Sequence, residues 1–244
     1  MDVGLGKKHT IHNEHLHLSW DHATAPAITI APGEIVEFDE IDALMGQITP
    51  QSGVEDVINI DFARVNPVAG PVYVDGAEPG DALKVTLLDF APSGWAWTAI
   101  VPGFGLLADD FPEASLNIWN VDKAFKEPAA MADFAQIPLK PFCGTTGVAP
   151  AESGAHSTIP PYATGGNMDI RDLTLGVDLY LPVQVEGAAP VATEPPTASD
   201  DGRAARPPSK LSTKYAQYRA SLKGNTTAPK AALPRADSAE SPPV

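Results

Sequence analysis

The chain has 244 residues, a formal net charge of −15 and a sequence pI near 4.6. That length carries one large β domain or two small ones with a sizeable core. The acidic balance excludes a nucleic-acid binder, which needs a basic face against phosphate, and it suits an anionic membrane surface no better.

At the N-terminus, Met1-Asp2-Val3-Gly4 lacks the charged region and apolar run of a signal peptide, so a cytoplasmic protein is expected. Five of the six histidines follow: His9, His12, His15, His17 and His22. On an extended strand His15 and His17 share a face, a spacing that can put two imidazoles on one metal. The plain alternative is that His9, His12 and His15 are surface residues, which leaves His17, ahead of Leu18-Ser19-Trp20-Asp21, as the one of interest.

Pro32-Gly33 and Pro79-Gly80 are tight-turn signals. Each leads into a strand: 34–38 in the first case, and 81–87 in the second, where Leu83, Val85 and Leu87 share one face. Pro32, Gly33, Glu34 and Asp42 also align with Pro79, Gly80, Asp81 and Asp89 at a constant offset, either a faint repeat or two ordinary turn-then-strand units. Glu37, Asp39, Glu40 and Asp42 read mostly as a solvated face, with Asp42 at the strand end where functional carboxylates often sit. The longest low-charge stretch, residues 96–108, is interrupted by Pro102, Gly103 and Gly105, so no bilayer span is expected. Residues 127–135 are the best short helical candidate.

Cys143 is the single cysteine, which excludes an internal disulfide and a thiolate-rich zinc site. It reads as a small buried hydrophobe rather than a nucleophile. Between 152 and 169 lie Glu152, His156 and Gly165-Gly166-Asn167-Met168-Asp169. Two glycines there let backbone approach a ligand, and Asn167 and Asp169 could hold an amide or orient water; a plain Gly-Gly-Asn turn explains the same residues. Apolar residues alternate from Leu173 to Val185, suggesting a long strand with one buried face, and Pro182 places it at a sheet edge or bulge. Many glycines and prolines with short strands and few short helices indicate a mainly β, sandwich- or barrel-like fold.

Composition changes after residue 187. Residues 1–187 hold every Trp, Phe and His, and carry 26 Asp and Glu against 8 Lys and Arg. Residues 188–244 carry 5 against 8 and are rich in Ala and Pro. With Val191, Leu211, Leu222, Leu233 and Val244 as its only large aliphatic residues, this second unit reads as a disordered tail, with at most a helical turn around Leu211 to Leu222.

Taken together, several runs resemble the acetamidase/formamidase family. They are His17-Leu18-Ser19-Trp20-Asp21, residues 42–47, residues 94–110, Pro141-Phe142-Cys143-Gly144, residues 147–152, His156 to Pro161, and Gly165-Gly166-Asn167-Met168-Asp169. The resemblance spans about residues 15–187. It implies a mostly β fold that hydrolyses the non-peptide carbon–nitrogen bond of a small linear amide to a carboxylate and ammonia. It also implies a divalent metal, Zn or Ca, in some members, and leaves a homo-oligomer open. On this resemblance the catalytic residues are Asp42, Asn167, Asp169 and Glu152, and the metal ligands His17, Asp42 and Asp169. His17 is alternatively the base, and His156 a second choice.

The family pattern continues past Gly187 with a Gly-Asp-x-His-Ala-Ala-Gln run that this sequence lacks. The 1–187 unit is therefore expected to be incomplete, from a frame shift or a truncated copy, and catalysis by the chain is in question. Two other readings stay open: an acidic β module that binds a cation or small ligand, and an inactive remnant.

Overall fold

A computed structural model describes residues 7–131, 135–188, 192–193, 196–198 and 209–223. The architecture is mainly β, with one short α-helix, Val54–Ile58, and brief 3-10 turns. Both Pro-Gly signals act as anticipated. Gly33 and Gly80 take φ of +90° and +100°, and strands Ile35–Phe38 and Ala82–Ile100 follow them. In the long strand, Leu83, Val85 and Leu87 are buried while Lys84 and Thr86 between them are half-buried, the period of a one-sided sheet. The proposed repeat ends there, because Asp42 lies in a loop and Asp89 in mid-strand.

The main sheet is organised around Ala82–Ile100. Its first part pairs antiparallel with Asp178–Pro182, and its last residues with Ser115–Asn120. Lys8–Ile11 runs parallel to Ile35–Phe38. One face of these strands, with Ile30, Val72 and Val74, closes over a core that includes Phe38, Leu83, Phe90, Cys143 and Leu181. Cys143 is 3% exposed, as a small hydrophobe would be. A second cluster joins the helix through Val57 to Trp97 and Ile48.

Three local expectations change. The strand anticipated from 173 to 185 is limited to Asp178–Pro182. Gly176, at φ +80°, turns the chain and donates its N–H to Leu87 O at 2.8 Å, so alternation over 173–177 does not produce pairing. Pro182 does sit on an edge strand, at the last pair with Ala82. Residues 127–135 form no helix among the described residues: Ala129–Met131 pairs antiparallel with Ala135–Ile137, and Ala129 is buried against the Trp119 and Val121 cluster. Tertiary burial there overrides a weak helical preference.

The helical turn expected around Leu211 to Leu222 is instead extended backbone. Ser209–Lys223 lies antiparallel between Ile35–Phe38 and Ala82–Ile100. Two open strand edges supply main-chain partners, and that pairing requires no apolar composition. Apart from this strand and the short pieces Ala192–Thr193 and Pro196–Ala198, the expected disordered tail lies outside the described residues.

The first strand is held partly by charge. Lys8 pairs with Glu37, His9 Nε2 lies 2.7 Å from Glu34 Oε2, and His12 Nδ1 lies 2.6 Å from Asp39 Oδ2. The Asp39 hydrogen bond raises the His12 pKa, and the Ala31 N–H, followed by His9, lowers that of Glu34. A raised histidine contributes stability that is complete below its ordinary pKa and is lost as pH rises through the raised value. A lowered glutamate contributes above its ordinary pKa and loses that contribution as pH falls through the lowered value. Docking of Lys8–Ile11 is therefore expected to be tightest between about pH 4.5 and 6.5. Hydrogen-exchange protection factors of these amides should fall on either side of that window; a flat profile would refute the charge-latch account.

Candidate functional site

The segment around His17 is built from two very short strands. Leu16–His17 pairs antiparallel with Val68–Ala69, and Ser19–Trp20 pairs with His156–Ser157. His17 stands directly opposite Val68, so their side chains share a face. Trp20 is buried against the same Val68. Two stretches far apart in sequence thereby meet at Val68.

His17 Nδ1 lies 2.8 Å from Ser19 O. A carbonyl oxygen can only accept, so the proton resides on Nδ1 and Nε2 carries a bare lone pair. Nε2 is buried and has no hydrogen-bond partner among the described residues; the same holds for Trp20 Nε1. Burial lowers the His17 pKa, partly opposed by the Ser19 carbonyl. The ring is therefore neutral near pH 7, and its lone pair can take a proton from water or bind a cation. His15 does not share this face, because Asn13–His15 is a 3-10 turn rather than a strand continuation.

Asp42 is 2% exposed, and its two carboxylate oxygens accept from its own loop: Oδ1 from Leu44 N–H at 2.9 Å and Oδ2 from Gly46 N–H at 2.7 Å. Met45 and Gly46 both have positive φ there, so the carboxylate stabilises a tight left-handed turn. Asp42→Ala is expected to cost about 1–3 kcal/mol by stranding the buried Leu44 N–H and releasing the partly buried Gly46 N–H. Urea unfolding measures this; a loss under about 1 kcal/mol would show that water replaces the carboxylate.

The turn is linked to the rest of the region through Asn66, a residue that sequence inspection overlooked. Its N–H donates to Ala43 O at 2.7 Å, and its Nδ2 to Thr158 O at 3.1 Å. Asn66, at φ +57° ahead of Pro67, is an Asn-Pro turn signal that could have flagged it. Asn167 extends the chain of contacts: Nδ2 donates to Ile159 O at 2.9 Å, and Oδ1 accepts from Thr145 Oγ1 at 3.1 Å. Its strand, Gly165–Asn167, pairs with Thr145–Gly147.

The structure thus joins the His17 strand, the Asp42 turn, the 156–159 segment and Asn167 through hydrogen bonds and strand pairs. Glu152 and Asp169 are exposed. Asp169 takes φ +48° and donates its N–H to Gly144 O, and Glu152 O lies 3.1 Å from His156 Nε2. Among the described residues no group of three or more His, Cys, Asp or Glu is placed to hold a metal ion. His17, Asp42 and Asp169 consequently do not assemble as a ligand set: the Asp42 oxygens are committed to their turn, and only His17 offers a buried, unpartnered donor atom.

The Acetamidase/Formamidase family model matches residues 2–154 and 151–193, well over half of the sequence. The chain belongs to the acetamidase/formamidase family. It is 28% identical to a formamidase of Methylophilus methylotrophus, over 75% of this chain and 58% of that protein. It is 29% identical to an acetamidase of Mycolicibacterium smegmatis, over 70% of this chain and 57% of that one. The chain therefore spans a little over half the length of these curated relatives. The solved acetamidase of Bacillus halodurans superposes with a TM-score of 0.80 at 27% identity, covering 89% of this chain and 72% of that structure. The acetamidase of Yersinia enterocolitica gives 0.77 at 25% identity, covering 90% and 69%. Within the family, the chain shares the mainly β architecture. No helix among its described residues is long and apolar enough to cross a membrane, which says nothing about β-barrel spans.

Proposed function

We propose that this chain carries the amide-hydrolysing chemistry suggested by its formamidase and acetamidase relatives, cleaving a short linear amide to a carboxylate and ammonia. The observation that supports it most is the buried Nε2 lone pair of His17, with the tautomer held by Ser19 O. In this reading Nε2 accepts a proton from the attacking water as the water oxygen bonds to the amide carbonyl carbon. Collapse of the tetrahedral adduct then returns that proton to the departing nitrogen. Asp169 and Glu152, two of the solvent-facing carboxylates of the matched runs, are the proposed water-orienting groups. Asp42 and Asn167 act by holding the turn and the 159 segment in place rather than through free polar atoms. The proposed setting is cytoplasmic.

Ammonia release from formamide and acetamide tests the reading directly, with parallel arms containing added Zn²⁺, added Ca²⁺ or a chelator. Release in at least one arm is expected, and for acetamide the product acetate should appear in equal amount. No release in any arm from a chain that unfolds cooperatively would overturn the proposal and leave a cation- or ligand-binding module.

A further inference from the structure

The end of the hairpin between Ala82–Ile100 and Ser115–Asn120 carries apolar side chains into solvent. Leu106 is 99% exposed, Phe104 64% and Phe111 53%. The Phe104 ring lies 5.8 Å from that of Phe62, centroid to centroid, which makes this end continuous with the turn Phe62–Arg64. The helix Val54–Ile58 seats Val57 in the core and leaves Val54 and Ile58 exposed. Single exposed apolar residues are ordinary, but a contiguous set spanning two segments marks an interaction surface.

Charge narrows the partner. Residues 42–63 and 101–122 contain no Lys or Arg; Arg64 is the first cation after the earlier segment. Glu55, Asp56, Asp61, Asp109, Asp110 and Glu113 are all exposed within these segments. A second copy of the chain would bring the same six anions to the contact, and an anionic lipid surface would be repelled in the same way. The apolar residues project outward on a protrusion rather than lining a cavity, which suits a polypeptide better than a small molecule.

We propose that the hairpin end and the 54–64 segment dock a polypeptide segment whose apolar side chains are flanked by Lys or Arg. The aromatic and leucine side chains supply the contact area, and the acidic rim selects the basic flanks and speeds encounter. This surface contains none of the residues assigned to amide hydrolysis, so the proposal stands or falls separately.

The probe is a fluorescein-labelled peptide of about 14 residues alternating Leu and Lys, titrated against the full chain by anisotropy. Controls replace Lys by Glu or Leu by Ser. Saturable binding of the Leu/Lys peptide is expected, about tenfold weaker in the double variant Leu106→Ser, Phe111→Ser, and weaker as NaCl rises from about 0.05 to about 0.5 M. Neither control peptide should bind comparably. Both substituted side chains are exposed, so the variant should keep wild-type cooperative unfolding. Binding unchanged by the double substitution, or equal binding of the Leu/Glu peptide, would overturn the proposal. So would sedimentation showing a wild-type dimer that the double variant converts to monomer, because the occupant would then be a second copy.

Discussion

Gly165→Ala is expected to lower the midpoint of thermal unfolding by about 10 °C, corresponding to about 3–5 kcal/mol for a domain of this size. Gly165 has φ +96°, and a Cβ there would run into Thr146 O, with Leu181 Cδ2 only 2.8 Å away and Gly147 Cα at 3.0 Å. Thr146 and Gly147 belong to the paired strand, so backbone rather than a flexible side chain would have to move. Gly33→Ala provides the comparison. It shares a positive φ of +90° but has nothing within 4 Å of the new methyl, so its cost is backbone strain alone, about 1–2 kcal/mol. Scanning calorimetry of both variants decides the matter. If Gly165→Ala costs no more than Gly33→Ala, close approach of the two strands is not what demands glycine. The effect would reach function as well, because this pair of strands carries Asn167 and, through it, the 159 segment.

For His17→Gln, ammonia release is expected to fall by about two to four orders of magnitude, while the unfolding midpoint stays close to wild type. Glutamine retains a polar head that can meet Ser19 O but supplies no comparable base. Equal activity in the variant would remove His17 from the reaction. The pH profile supplies an independent readout. Burial holds the His17 pKa below the ordinary histidine value, so the acid limb of kcat/KM should lie below about pH 6.5. A limb at or above that value would point to another base. The linkage sign is the reverse of that for His12. Between the lowered folded pKa and the ordinary one, the unfolded chain binds more protons, so His17 costs stability as pH falls through this range. His17→Gln should therefore flatten the decline of wild-type stability on acidification.

Much of the β framework was legible because its signals are local. Pro-Gly followed by alternating apolar residues marked the strands at 35 and 82, and Pro182 marked an edge. Where local signals failed, a distant partner had intervened. The Gly176 N–H reaches Leu87 O and ends the alternation at 173–177 as a turn. Ala129 finds Trp119 and Val121, and its segment becomes a hairpin strand. Asp42 is a different case: its partners, the Leu44 and Gly46 N–H groups, are local, and the Gly-containing loop after it was read as the end of a strand rather than as a turn closed by its own carboxylate. Asn66 escaped notice because its side chain answers a carbonyl at residue 158.

By itself the sequence established a mainly β, acetamidase/formamidase-like chain, acidic through residue 187 and mildly basic beyond it. Those properties rest on composition, on period-two alternation and on turn chemistry, all of which act over a few residues. Only the tertiary structure decided which histidine, among the described residues, keeps a buried ring nitrogen without a hydrogen-bond partner. His17 differs from His9 and His12 because its strand faces Val68 and its neighbour Trp20 is covered from the side of residue 156. His9 and His12, by contrast, meet carboxylates on an adjoining strand and its flanks. Burial and hydrogen-bond satisfaction depend on which distant segments come together, and that is a property of the fold rather than of any stretch of residues.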